Sequence, residues 1–131
     1  MAAVVYLDTL TAVRLFEGRP AGLPPYARRL IESGEILISP MAILEIEYLF
    51  EIQRVRYSAD AIVHSLQVDA GLRICDLPFE EVVLAALKEA WTRDPFDRII
   101  VSHAVARKAP LITKDQTILD HCPLAVWDSK R

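Results

Sequence analysis

Ala3-Val4-Val5-Tyr6-Leu7-Asp8 is the stretch on which the fold turns. Five uncharged residues, rich in β-branched and aromatic types, run without polar alternation and stop at an acid. A strand exposed on one side would alternate; this one reads as a short strand buried on both faces, as in a parallel sheet. The N-terminal stretch from Met1 to Asp8 lacks the basic start and cleavage site of a secretory signal. Outward from this strand, residues 9–16 suit a short helix, and Pro20, Gly22, Pro24 and Pro25 mark a loop. Tyr26 to Ser33 reads as helix, with Gly34 as its stop, and Ile36-Leu37-Ile38 as a second strand. Ser39-Pro40 is an N-cap followed by proline at the first helical position, opening a helix to about Arg54. Further helices are expected over 58–69, 79–91 and from Asp94-Pro95 to about Lys108. Further strands are expected at Leu72–Cys75, Pro110–Thr113 and Leu124–Trp127. Strands alternating with helices imply an α/β fold, a central parallel sheet covered on both faces, in one domain spanning residues 1–131.

Bulk properties agree with such a core. Hydrophobic residues make up 53% of the chain, and the mean hydropathy is +0.24. No apolar run approaches the roughly 20 residues of a membrane span. The net charge of -3 argues against binding long nucleic acid through charge alone. Cys75 and Cys122 form neither a zinc pattern nor a disulfide framework, and read as buried free thiols of a cytoplasmic protein.

Acids recur where strands end. Asp8 closes the first strand and Asp115 follows Leu111-Ile112-Thr113, so both sit at the carboxyl edge, where open α/β sheets bind ligands. Glu45 belongs to the helix after the second strand. At 100° per residue it shares a face with Met41, Ala42, Tyr48, Leu49 and Ile52, which should point inward, while Glu47, Glu51 and Arg54 fall on the solvated side. An inward carboxylate needs a partner or a cation. Asp97 similarly shares its stripe with Ile100, Val101, Ala104 and Val105, with Asp94 three residues earlier. Asp94-Pro95-Phe96-Asp97 is also a good helix start, which would give both acids a capping role. Clustered carboxylates repel unless a cation joins them, and oxygen ligands suit Mg²⁺ or Mn²⁺. No phosphate-binding glycine loop and no Gly-x-Ser-x-Gly elbow is present. A phospho-receiver would need paired acids after the first strand, where Asp8 stands alone. A haloacid-dehalogenase-like phosphatase would need Asp where Leu10 stands.

Taken in order, these segments resemble the PIN-domain nucleases, and among them the VapC toxins. Tyr6-Leu7-Asp8-Thr9 is similar to the first family motif. Ser39-Pro40-Met41-Ala42-Ile43-Leu44-Glu45 is similar to the second, with Ala42 where members often carry Thr. Asp94-Pro95-Phe96-Asp97-Arg98 with the helix behind it resembles the third, and Leu111-Ile112-Thr113-Lys114-Asp115 the last. The resemblance implies a PIN-like three-layer α/β/α sandwich. It implies a Mg²⁺- or Mn²⁺-dependent endoribonuclease that arrests translation, with Asp8, Glu45, Asp97 and Asp115 as metal-binding catalytic acids and Asp94, Thr9 and Thr113 beside them. RNA as substrate, a VapB-like antitoxin and a homodimer follow as expected partners. A solitary PIN nuclease and an inert PIN-like binding module are the alternatives.

Arg93, Arg98 and Lys114 flank the acidic motifs and suit either contacts to RNA phosphates or, more commonly, ordinary solvated charges. His103 lies off the Asp97 face and is expected to be partly exposed; His64 and His121 receive no role. Leu23, Tyr26, Leu30 and Ile31 suit either core packing or a groove for an antitoxin helix.

Overall fold

Val5, Tyr6 and Leu7 are each at most 1% exposed, although successive strand side chains point to opposite faces. Both faces of the first strand are therefore covered. A computed structural model of the chain describes residues 3–18 and 22–128; Pro20 of the expected loop and Met1-Ala2 lie outside that range. The chain runs through β1 (Val4–Leu7), α1 (Thr9–Glu17), α2 (Pro25–Ser33), β2 (Glu35–Ile38), α3 (Pro40–Glu51), α4 (Ala59–Ala70), β3 (Arg73–Ile74), α5 (Phe79–Ala86), α6 (Pro95–Arg107), β4 (Leu111–Ile112), α7 (Gln116–His121) and β5 (Ala125–Val126).

The strands form one sheet in the order β3-β2-β1-β4-β5, and every neighbouring pair is parallel. Helices flank the sheet in a three-layer α/β/α sandwich, as the apolar strands imply. From β1 the chain moves outward through β2 to β3, then crosses back to β4 on the other side of β1. That reversal opens a crevice at the carboxyl ends of β1 and β4. Two bonds fix its base: the Asp8 N–H donates to the Ile112 carbonyl at 3.1 Å, and the Thr11 hydroxyl donates to the same carbonyl at 2.9 Å.

Several elements depart from expectation. α3 stops at Glu51 rather than near Arg54, because Gln53 turns left-handed at φ 64°. α5 ends at Ala86, short of the expected residue 91. α7 is an additional helix, six residues long and capped by the Asp115 carboxylate. Gly34 ends α2 without a left-handed turn: a Cβ there would stand 2.5 Å from the Ala3 carbonyl oxygen, so the glycine serves close approach to the start of β1. His103 is 3% exposed, not partly solvated. α6 is buried from Ile100 through Ala104 on all sides, so a one-faced helical wheel misplaces it. Leu23 is buried, and Tyr26, Leu30 and Ile31 pack against the core. Both cysteines are buried and neither is in a disulfide, with the Cys75 sulfur 2.9 Å from the Tyr6 hydroxyl.

Candidate active site

The crevice is a cleft of 560 Å³, and Asp8, Glu45, Asp97 and Asp115 all line it. Each acid arrives by a different local device. Asp8 caps α1, accepting the Thr11 N–H at 2.8 Å. Asp115 caps α7, accepting the Ile118 N–H at 3.1 Å while its own N–H donates to the Thr113 hydroxyl at 3.0 Å. Both are strand-end residues that the following helix needs for its first turn. Glu45 enters from the side of α3, and the buried Thr9 hydroxyl donates to its carboxylate. Asp97 stands in the first turn of α6 and has no hydrogen-bond partner among the described residues.

Helical angle locates Glu45 less simply than expected. Ala42 and Ile46 are the buried residues of α3, whereas Tyr48 is 47% exposed and Ile52 45% exposed. The buried side is turned away from Tyr48, and Glu45 lies at its margin, which opens onto the cleft. Tyr48 instead stacks on Phe96 at 5.9 Å, joining α3 to the start of α6. Glu47 is half-buried rather than solvated, because its carboxylate accepts the Ala59 N–H at 3.0 Å and caps α4.

Burial and mutual repulsion act on these groups together. Removal from water raises the Asp97 carboxyl most, the charges of Asp94, Asp115, Glu45 and Asp8 add to it, and the result is about 7. Desolvation also raises Glu45; the Thr9 hydrogen bond opposes it, and the charges of Asp94, Asp8 and Asp115 reinforce it. Asp8 is raised by burial, against the hydrogen bonds of Thr113 and Thr11 and the nearby charge of Arg14.

The secondary candidates separate. Thr9 lines the cleft and Thr113 is fully buried beneath it. Asp94 is an exposed N-cap of α6, accepting the Phe96 N–H at 2.8 Å; it lies outside the cleft and acts on it only through charge. Lys114 lines the cleft, but Arg93 and Arg98 do not. Arg93 donates to the Ala90 carbonyl at 2.7 Å and Arg98 to the Ala86 carbonyl at 2.8 Å, so both tie down the α5–α6 connection. In their place the cleft takes Arg14 and Arg54, neither of which the sequence pattern singles out. Arg54 escapes notice because its placement depends on where α3 ends.

An all-carboxylate set of this kind is the donor chemistry of a hard divalent cation. Among the described residues no three acid, histidine or cysteine side chains stand close enough as placed to enclose one ion. The fit therefore rests on the unpartnered Asp97 and on the raised Glu45 and Asp8 facing one cleft.

A model of the PIN domain matches residues 5–122. The chain belongs to the PIN domain family. The matched span contains all four cleft acids of this PIN domain. No match was found among curated proteins. Solved structures share the fold. A chain of the VapBC2 complex from Rickettsia felis, bound to a DNA fragment from its promoter, has a TM-score of 0.62 at 20% identity, covering 95% of this chain and 99% of that one. A chain of a toxin-antitoxin complex from Klebsiella pneumoniae has a TM-score of 0.65 at 17% identity, covering 97% and 99%. A chain of DNA-bound VapBC from Salmonella typhimurium has a TM-score of 0.61 at 18% identity, covering 95% and 96%. Among the described residues no helix of this PIN domain is long and apolar enough to cross a membrane.

Proposed function

We propose that this PIN domain is a Mg²⁺- or Mn²⁺-dependent endoribonuclease, a cytoplasmic toxin of the VapC type that cuts RNA and arrests translation until a VapB-like antitoxin binds it. One observation carries the reading: Asp8, Glu45, Asp97 and Asp115, separated widely in sequence, line a single cleft at the point where the sheet reverses direction. Structural neighbours drawn from toxin–antitoxin complexes support the antitoxin partner, and a homodimer is part of the same proposal.

Asp8, Glu45, Asp97 and Asp115 would hold the cation. Bound there, it supplies an activated water and neutralises charge on the phosphodiester. The chain's own residues prepare that chemistry. Thr9 orients Glu45, and the backbone N–H groups of Thr11 and Ile118 orient Asp8 and Asp115. Asp97, unpartnered and near neutral pH in its titration, offers both carboxylate oxygens. Lys114 on the same rim contacts a phosphate.

Purified protein should cleave RNA with Mg²⁺ or Mn²⁺ and lose that activity in excess EDTA or as Asp97→Asn. Undiminished cleavage in EDTA, or by the variant, defeats the metal mechanism. A solitary PIN nuclease would cut RNA but leave translation intact when produced in cells, and an inert binding module would cut nothing.

A further inference from the structure

Acids and cations share this cleft. Arg14, Arg54 and Lys114 line it together with four carboxylates, and among the described residues none of the three forms an ion pair within 4.0 Å. A cleft lined by both signs suits a group that needs both: a phosphodiester strand whose reacting phosphate meets the acids while its neighbours meet the cations.

The placement of Arg54 is built in. α3 would have carried it onto the solvated side, opposite Glu45, had the helix continued. Instead the helix stops at Glu51, and Gln53 takes a left-handed conformation at φ 64° that costs energy in a non-glycine residue. Arg54 and Val55 both donate their N–H to the Leu49 carbonyl, at 2.8 and 3.2 Å, which folds the chain back over the end of α3. Val55 is 8% exposed and anchors in the core, and Tyr57 packs edge-on against Phe16 of α1 at 5.1 Å. A cation without an ion pair among the described residues is thus delivered on a fixed backbone to the cleft wall. Arg14 is fixed differently, with its guanidinium 5.7 Å from the Trp127 ring.

We propose that Arg14 and Arg54 are substrate-binding residues that grip the phosphates flanking the scissile one, and so set how RNA is seated over the acids. The inference rests on the nuclease reading above. Guanidinium suits the task because its planar fork meets phosphate oxygens in pairs.

The test is steady-state cleavage of a labelled RNA oligonucleotide in Mn²⁺, with KM and kcat resolved. Arg54→Ala should raise KM about five- to tenfold with kcat within about twofold of wild type, and Arg54→Lys should recover part of the loss. Arg14→Gln should act in the same direction. Arg56→Ala, two residues on and outside the cleft, should match wild type. Binding of the oligonucleotide to the Arg54→Ala protein should also lose about 0.7 from the slope of log affinity against log salt, the share of one single-strand phosphate. Circular dichroism verifies that each variant is folded. Arg54→Ala with wild-type KM and salt slope overturns the proposal while leaving the nuclease reading intact. So does an Arg56→Ala protein that binds as weakly as Arg54→Ala, or an Arg54→Ala protein that handles RNA normally and resists only inhibition by a protein partner. Failure of the wild type to bind or cut RNA overturns both.

Discussion

Two pairs of carboxylates line the cleft, and they are held in opposite ways. Asp8 and Asp115, at the strand ends, cap helices and spend oxygen lone pairs on backbone N–H groups. Glu45 and Asp97, on the helix walls, accept nothing from the backbone; Thr9 is the partner of Glu45, and Asp97 has none among the described residues. The strand-end pair is part of the scaffold and would be kept for folding alone. The wall pair adds repulsion and desolvation, and under the proposed function that cost is offset when a cation binds.

The largest effect should come from the wall. Asp97→Asn should lower metal-dependent RNA cleavage roughly a hundredfold or more, since it removes a charge from the point where charge must be balanced. Glu45→Gln should be similarly inactive, while Glu47→Gln should retain activity because an amide oxygen can still accept the Ala59 N–H. A quench-flow or gel cleavage assay of all three proteins checks this. Equal activity in Glu45→Gln and wild type would make Glu45 structural and erase the contrast.

Stability should sort the acids the other way. Asp115→Ala removes the cap of α7 and should cost about 1 kcal/mol, read by urea denaturation in EDTA. Asp94→Ala should cost a similar amount, as the cap of α6, while leaving substantial cleavage. A loss of stability on Asp97→Asn as large as on Asp115→Ala would merge the two classes.

A smaller, pH-dependent effect follows from the raised Asp97 carboxyl. Its folded-state value is about 7, against 3.8 for the free side chain. The folded protein thus holds this proton more tightly than the unfolded chain. The stability gained from that proton is fully present below about pH 4 and is lost as pH rises through about 7. In metal-free buffer Asp97→Asn should therefore flatten the pH dependence between about 4 and 7. The full shift does not carry over to stability, because the cleft is open and solvent screens the charges, so the gain at neutral pH should be about 1 kcal/mol. Denaturant midpoints measured across that window in EDTA provide the check; parallel curves for the two proteins would assign the pH dependence elsewhere.

Much of this contrast is legible in the residues themselves. Val5, Tyr6 and Leu7, and likewise Ile36, Leu37 and Ile38, are consecutive apolar residues that a sheet covered on both faces must bury, and they do. Asp8 and Asp115 follow such runs, so their position at the carboxyl edge comes directly from the alternation of strands and helices. What stays hidden depends on where helices end and how they roll. Six residues of α7 are too few to show periodicity. No glycine marks the end of α3, because Gln53 adopts the left-handed turn, and so a helical wheel puts Arg54 on the solvated side. Tyr48 and Ile52 point inward on a wheel centred on Glu45, but the helix presents Ala42 and Ile46 to the core. His103 falls at the surface if α6 is one-faced, whereas the middle of that helix is enclosed all round.

Thermal unfolding of wild type and Asp97→Asn, each in EDTA and in Mn²⁺ at neutral pH, tests the central claim most directly. A ligand that binds only the folded state raises the midpoint by mass action. Wild type should melt higher in Mn²⁺ than in EDTA; Asp97→Asn should equal or exceed wild type in EDTA and gain far less from Mn²⁺. An Asp97→Asn protein that is clearly less stable in EDTA yet responds to Mn²⁺ as fully as wild type would contradict the account, and would make Asp97 a helix-start residue that serves the fold.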